Sequence, residues 1–164
     1  MYTPAITLRA IEEPDCAWLP DFLRERWGSQ ELVVRGEVFY PAELPGFAAF
    51  DEDGDCCGLI TMHILGNECE IISLDSLEEH VGVGSALLNA AERSATAHGC
   101  TRLHLVTTND NLNALRFYQK RGYYLCALRP GAIEESRKLK PQIPHIGEFG
   151  IPIRDEIELE KKID

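Results

Sequence analysis

The stretch Val81-Gly82-Val83-Gly84-Ser85 stands between a strand-like run, Glu70-Ile71-Ile72-Ser73-Leu74, and a helix-like run that begins Ala86-Leu87-Leu88. Glycines at 82 and 84 let a ligand approach the backbone closely, and the unpaired N–H groups of a helix start point toward an anion. This context predicts a phosphate cradle at a strand-to-helix junction. It is not a dinucleotide fingerprint: the third glycine position holds Leu87, and the segments before the strand read as hairpins.

Some thirty residues on, Asn111-Leu112-Asn113-Ala114-Leu115-Arg116-Phe117-Tyr118-Gln119-Lys120-Arg121-Gly122-Tyr123 predicts a short helix closed by a glycine suited to the left-handed position after a helix end. Asn111, Ala114 and Tyr118 fall at i, i+3 and i+7, which puts an amide, a small residue and a phenol on one face. The two segments together resemble the GNAT superfamily of N-acetyltransferases. Its signatures are a Gln/Arg-x-x-Gly-x-Gly/Ala loop after the fourth strand and an Asn-x-x-Ala helix that ends in Tyr-x-x-x-Gly-Phe. Here the first reads Glu79-His80-Val81-Gly82-Val83-Gly84 and departs from the pattern at Glu79, where a carboxylate replaces an amide or a cation beside the expected pyrophosphate.

The resemblance implies an α/β fold, a mixed, mostly antiparallel central sheet flanked by helices, over one domain of residues 1–164 with a core of about 5–161. It implies an acetyl-CoA-dependent N-acetyltransferase that moves the acetyl group directly to an amine of a small molecule or peptide. Carried over by position, Ile72, Ser73 and Leu74 meet the pantetheine or thioester. Glu79, His80, Val81, Gly82, Val83, Gly84 and Ser85 enclose the pyrophosphate, and Asn111, Ala114 and Tyr118 complete the cofactor face. Tyr118 matches the tyrosine that protonates the departing thiolate; a phenol and a thiol are close enough in pKa for that transfer. Glu68 and Glu70 share one side of a strand by parity and are the candidates for the base that takes the amine proton. Asn111 suits a binding or helix-capping role. His63 and His104 read as packed residues. The rival from another class is a non-catalytic acyl-CoA-binding regulatory module, suggested by Glu79.

With 16 Lys plus Arg against 27 Asp plus Glu, the net charge is −11, and no basic block tracks a phosphate backbone. Nucleic acid is excluded as a partner on that ground, and an acidic surface suits a cationic amine. No segment is apolar enough to span a membrane. The six cysteines include no C-x-x-C, which argues against a metal site and for a cytoplasmic chain with reduced thiols. A homodimer is compatible with all of this.

Alternation and turn signals predict strands over 5–11, 47–50, 57–65, 68–74, 103–107, 123–128 and 157–161, with helices over 15–27, 84–98 and the motif segment. Asp51-Glu52-Asp53-Gly54-Asp55 reads as a hairpin turn, lacking the full ligand pattern of a calcium loop. Residues 29–45 mix apolar runs with Gly and Pro. The Gly- and Pro-rich stretch 129–152 is too long for a hairpin loop and reads as a substrate-facing excursion or flap.

Overall fold

In the acidic turn, Asp51 Oδ1 accepts hydrogen bonds from the N–H groups of Asp53 and Asp55, both at 3.0 Å, so its carboxylate is spent on the chain reversal itself. That reversal joins strands β4 (Gly46–Phe50) and β5 (Cys56–Leu65), numbered after β1 (Thr7–Ala10), β2 (Leu32–Val34) and β3 (Glu37–Phe39). The computed structural model describes residues 5–77 and 82–164. Glu79, His80 and Val81 of the predicted cradle lie outside the described residues.

After the Gly66-Asn67 turn, β6 (Glu68–Ser76) pairs antiparallel with β5, and the register passes from Thr61↔Ser73 to Met62↔Ile71. Ile72 is the extra residue of this bulge, which bends its strand. β7 (Arg102–Thr108) lies parallel to β6, but only Glu68–Ile71 and Arg102–Leu105 are in register. Beyond that point the two strands part. The C-terminal strand β9 (Glu156–Lys162) inserts between β7 and β8 (Tyr124–Arg129), giving a seven-stranded sheet of order β1-β4-β5-β6-β7-β9-β8. Its pairs are antiparallel except β6 with β7.

Among the described residues four helices accompany the sheet: α1 (Leu19–Trp27), α2 (Val83–Ala97), α3 (Leu112–Gln119) and α4 (Ala132–Leu139). This is the mixed, mostly antiparallel α/β arrangement that the resemblance implies. The buried stripe of α2, with Val83, Leu87, Leu88, Ala91 and Ala95, shares one core with Cys57, Met62, Cys69, Ile71, Leu103, Leu105 and Leu159. On the opposite face Leu19 and Leu23 of α1 pack with Ala48 and Leu59.

Three segments differ from the sequence reading. α1 starts at Leu19 rather than near Asp15, because the Asp15 carboxylate instead holds a 3₁₀ turn, Glu13–Ala17, by accepting from Glu12 N–H, Trp18 Nε1 and both Arg9 Nη atoms. Residues 29–45 contain a separate two-stranded hairpin, β2 with β3, reversed at Arg35 and Gly36 with φ of 50° and 73°. The excursion contains α4, whose Ile133 and Ser136 are buried one turn apart.

Gly58 sets how closely α2 sits on the sheet: a Cβ there would lie 2.6 Å from Val83 Cγ1, 2.9 Å from Leu87 Cδ1 and 3.2 Å from Asp75 O. Gly58→Ala is therefore expected to lower unfolding stability by about 1–3 kcal/mol, as overpacking does. Urea unfolding of the two proteins checks it, and equal midpoints would mean that α2 rides further from β5 than described.

Candidate active site

Parting of β6 from β7 leaves the backbone of Ile72, Ser73 and Leu74 without a neighbour on the β7 side, and a cavity of about 370 Å³ opens there. Ile71–Ser76 form one wall and Leu105–Thr107 the other, while Gly84 lies at one end and Asn111, Ala114, Phe117 and Tyr118 at the α3 side. Of the residues expected to hold a cofactor, Ile72, Ser73, Leu74, Gly84, Asn111, Ala114 and Tyr118 thus meet around one space. Val83 instead turns its side chain into the core.

The α2 end of the cavity has the features of an anion site. Gly82, with φ of 90°, precedes the helix and provides no capping side chain, and the first turn carries no acid. The opening N–H groups of a helix lack intrahelical acceptors and collect the positive end of its dipole. A cation stands beside them: Arg121 donates through Nε and Nη2 to Ser85 Oγ at 2.9 and 2.7 Å and through Nη1 to Phe117 O at 2.8 Å. Its guanidinium lies 3.7 Å from the Phe117 ring centre. Arg121 had no role in the sequence reading; its signal was its place four residues after Phe117, on the same helical face.

At the α3 end, Asn111 caps the helix, its Oδ1 accepting from Ala114 N–H at 3.1 Å. Tyr118 is 6% exposed and packs edge-on against Phe117 and Tyr123. Burial raises its pKa, so the phenol is protonated, and among the described residues its hydroxyl has no hydrogen-bond partner. Thr108 Oγ1 and Glu148 N–H donate to Asp110, while Asn109 bonds Pro152 O and the N–H groups of Arg154 and Asp155. These bonds stitch the excursion to the end of β7, beside Asn111.

Glu68 and Glu70 do not line the cavity. They sit on the face opposite α2, just below the fork. Glu70 is 3% exposed and forms a bidentate ion pair with Arg35 from the tip of the β2–β3 hairpin. Glu70 and His104 are register partners, with His104 Nδ1 3.4 Å from Glu70 Oε2 and Nε2 3.7 Å from Glu68 Oε2. Burial lowers the His104 pKa more than the surrounding carboxylates raise it, and the imidazole is neutral at neutral pH. His63 packs its ring against Phe39. Burial pushes the Cys56 thiol up to about 11 and the Cys69 thiol up to about 12, so neither is a thiolate at neutral pH.

Residues 10–123 match the Acetyltransferase (GNAT) family. The chain is 51% identical over 146 residues to "Uncharacterized protein YdhI" of Bacillus subtilis, covering 89% of this chain and 91% of that protein. Its fold resembles the IAA acetyltransferase from Bacillus cereus, with a TM-score of 0.69, 20% identity and coverage of 97% and 100% of the two chains. A GNAT family acetyltransferase from Elizabethkingia anophelis, solved with acetyl-CoA bound, is similar with a TM-score of 0.65, 20% identity and coverage of 96% and 98%. The chain therefore belongs to the GNAT acetyltransferase family.

Because Asn111 both borders the cavity and caps the helix that carries Tyr118, its replacement is felt in stability. Asn111→Ala is expected to cost about 1 kcal/mol, while Asn111→Asp keeps most of the cap. Urea unfolding distinguishes them; an Ala variant as stable as the Asp variant would remove the capping role.

Proposed function

We propose that this protein transfers the acetyl group of acetyl-CoA directly to an amine of a small molecule or peptide. The observation that carries this reading is the fork cavity, with an uncapped helix start at one end, unpaired β6 backbone along its wall and a protonated phenol at the other. The opening N–H groups of α2, with Arg121 beside Ser85, receive the pyrophosphate. Backbone amides of Ile72–Leu74 hold the pantetheine and polarise the thioester carbonyl. The acceptor enters from the face that carries Glu70.

Protons balance as follows. An ammonium acceptor gives one proton to Glu70, and the resulting amine attacks the thioester carbonyl carbon. As the C–S bond breaks, Tyr118 donates its proton to the sulfur, and the second amine proton replaces it. Tyr118 is then never left as a buried phenolate, which its raised pKa would disfavour. One proton per turnover is released in net. A reducing, cytoplasmic setting fits six cysteines of which none is disulfide-bonded.

Incubation with acetyl-CoA and a panel of primary amines, followed by thiol release, tests the reading. Release dependent on one amine supports it, whereas CoA binding without release from any amine favours a non-catalytic acyl-CoA-binding module. Tyr118→Phe is expected to keep CoA affinity within a few-fold and slow single-turnover transfer by roughly 10²-fold, the usual cost of losing a general acid. Gly84→Val acts on the other quantity. A Cβ at 84 would lie 3.3 Å from the Phe117 ring, so the branched side chain fills the cavity end and CoA binding by calorimetry should be lost. A Phe variant with wild-type turnover removes Tyr118 from the chemistry, and unchanged affinity in the Val variant removes the fork as the cofactor site.

A further inference from the structure

Among the described residues the sheet ends in β1 on one side and β8 on the other. β1 has four residues and carries Arg9, a charge of the kind that blunts an edge. β8 has six, Tyr124-Leu125-Cys126-Ala127-Leu128-Arg129, with no proline, no acidic residue and its only charge at the last position. Outside the ladder with β9, no backbone hydrogen bond among the described residues involves Tyr124–Arg129. Tyr124, Leu125 and Leu128 are 46%, 48% and 61% exposed. Unpaired main-chain groups flanked by exposed apolar side chains are a template for another strand.

Which strand this edge admits is set by a bulge. The register with β9 passes from Leu125↔Leu159 to Ala127↔Glu158, so Cys126 is the extra residue. Leu159 and Ile157 pack in the core on the α2 side, and their partners Leu125 and Leu128 face that way too. Tyr124, Ala127 and Arg129 are partners of Glu160, Glu158 and Glu156 and face the charged side of the sheet. Cys126 joins them there, its Sγ 3.5 Å from Glu158 Oε2. Along β8 the faces therefore run charged, α2, charged, charged, α2, charged. The side chains run long, leucine, small, small, leucine, long. Both orders are the same read in either direction.

We infer that β8 is a dimerisation strand, whose free edge pairs antiparallel with β8 of a second copy across a two-fold axis between Cys126 and Ala127. The two seven-stranded sheets then become one. Residues directly opposite in an antiparallel ladder share a face. In a regular strand of even length, an axis through the middle would set opposite faces against each other, and the bulge removes that conflict. Tyr124 meets Arg129 of the partner subunit, Leu125 meets the partner's Leu128, and Cys126 meets the partner's Ala127. Each pair occurs twice, as an isologous contact requires. The leucine pairs withdraw apolar surface from water, and the small residues at the axis let the two bulges approach. A regular strand has no matching bulge, so the feature that admits a copy also disfavours indiscriminate pairing.

Charge points to the same edge. Each copy carries a net charge of −11, so two copies repel, and contact is least opposed at a strand that contributes no acid. Added salt screens that repulsion while leaving main-chain bonds and leucine pairs in place, so association tightens as salt rises.

Sedimentation velocity of the full-length chain over a range of concentration, at low and moderate salt, tests the assignment. The wild type should show a monomer–dimer equilibrium that tightens with salt. Leu125→Lys and Leu128→Glu should each weaken it about 10-fold or more, because each change alters two cross-strand pairs at once. Combined in one chain, the two changes set a lysine opposite a glutamate twice, and the double variant should dimerise more tightly than either single variant. That recovery also separates lost pairing from lost folding, which a second substitution would not repair. A wild type that stays monomeric up to its highest soluble concentration overturns the inference and leaves the edge to a different partner. Single variants that dimerise like the wild type overturn it by placing the contact on another surface, and a double variant no tighter than the single variants overturns the register.

Discussion

Two parallel strands that stay together for four residue pairs and then separate are the constraint from which the rest of this molecule follows. A continuous β6–β7 ladder would pair the backbone of Ile72–Leu74 and close the space between the walls. The bulge at Ile72 turns β6 away from its neighbour, and α2 fills the crossover between them with small and branched residues, Val83, Leu87, Ala91 and Ala95, packed down onto Gly58 and Cys57. Held apart in this way, the strands present unpaired amides at the same place where the helix presents its uncapped N-terminus. Backbone geometry, more than any one side chain, makes the site.

The two faces of the sheet are chemically opposite near the fork. Toward α2 the strands contribute Cys69, Ile71, Leu103, Leu105 and Leu159. On the other face stand Glu68, Glu70, Arg102, His104, Glu158 and Glu160, with Arg35 and Arg129 completing the pairs. Burial pushes the Glu158 carboxyl up, but hydrogen bonds from Arg129 and Arg102 outweigh it and hold the pKa down at about 2. A carboxylate lowered in this way stabilises the fold fully above the ordinary carboxylate range, and that contribution is lost as pH falls toward about 2. Such a charged layer is costly to desolvate, and apolar residues would serve packing equally well.

Much of this was legible in the chain. Alternation located β4 to β7 and the terminal strand, and the paired glycines with the Asn111 helix located the cavity, because those signals are local: turn residues, strand parity and helical spacing. The hairpin carrying Arg35 was not legible, since strands of three residues leave no period to read and arginine at a positive φ is not a turn signal. α4 was hidden by the glycines and prolines on either side of it, although Ala132 to Leu139 is itself a good helical run. His104 read as a packed residue and is buried, but the carboxylates beside it lie more than thirty residues away in the chain and could not be read from its neighbours. Parity placed Glu68 and Glu70 together; only the strand order could place the imidazole between them and Arg35 over Glu70.

The acidic composition and the anionic acetyl-CoA of the proposed reaction pull in opposite directions, and the charges beside the fork favour the anion locally. With a net charge of −11 the distant field repels CoA, yet solvent screens exposed charges beyond roughly 10 Å at moderate salt. Within that radius the helix start and Arg121, clamped between Ser85 and the Phe117 ring, present fixed positive charge whose orientation is already set before binding. For the amine acceptor of the proposed reaction the balance is the opposite one, since the long-range field of an acidic molecule draws a cation in, so the same charge distribution favours both proposed substrates at different distances.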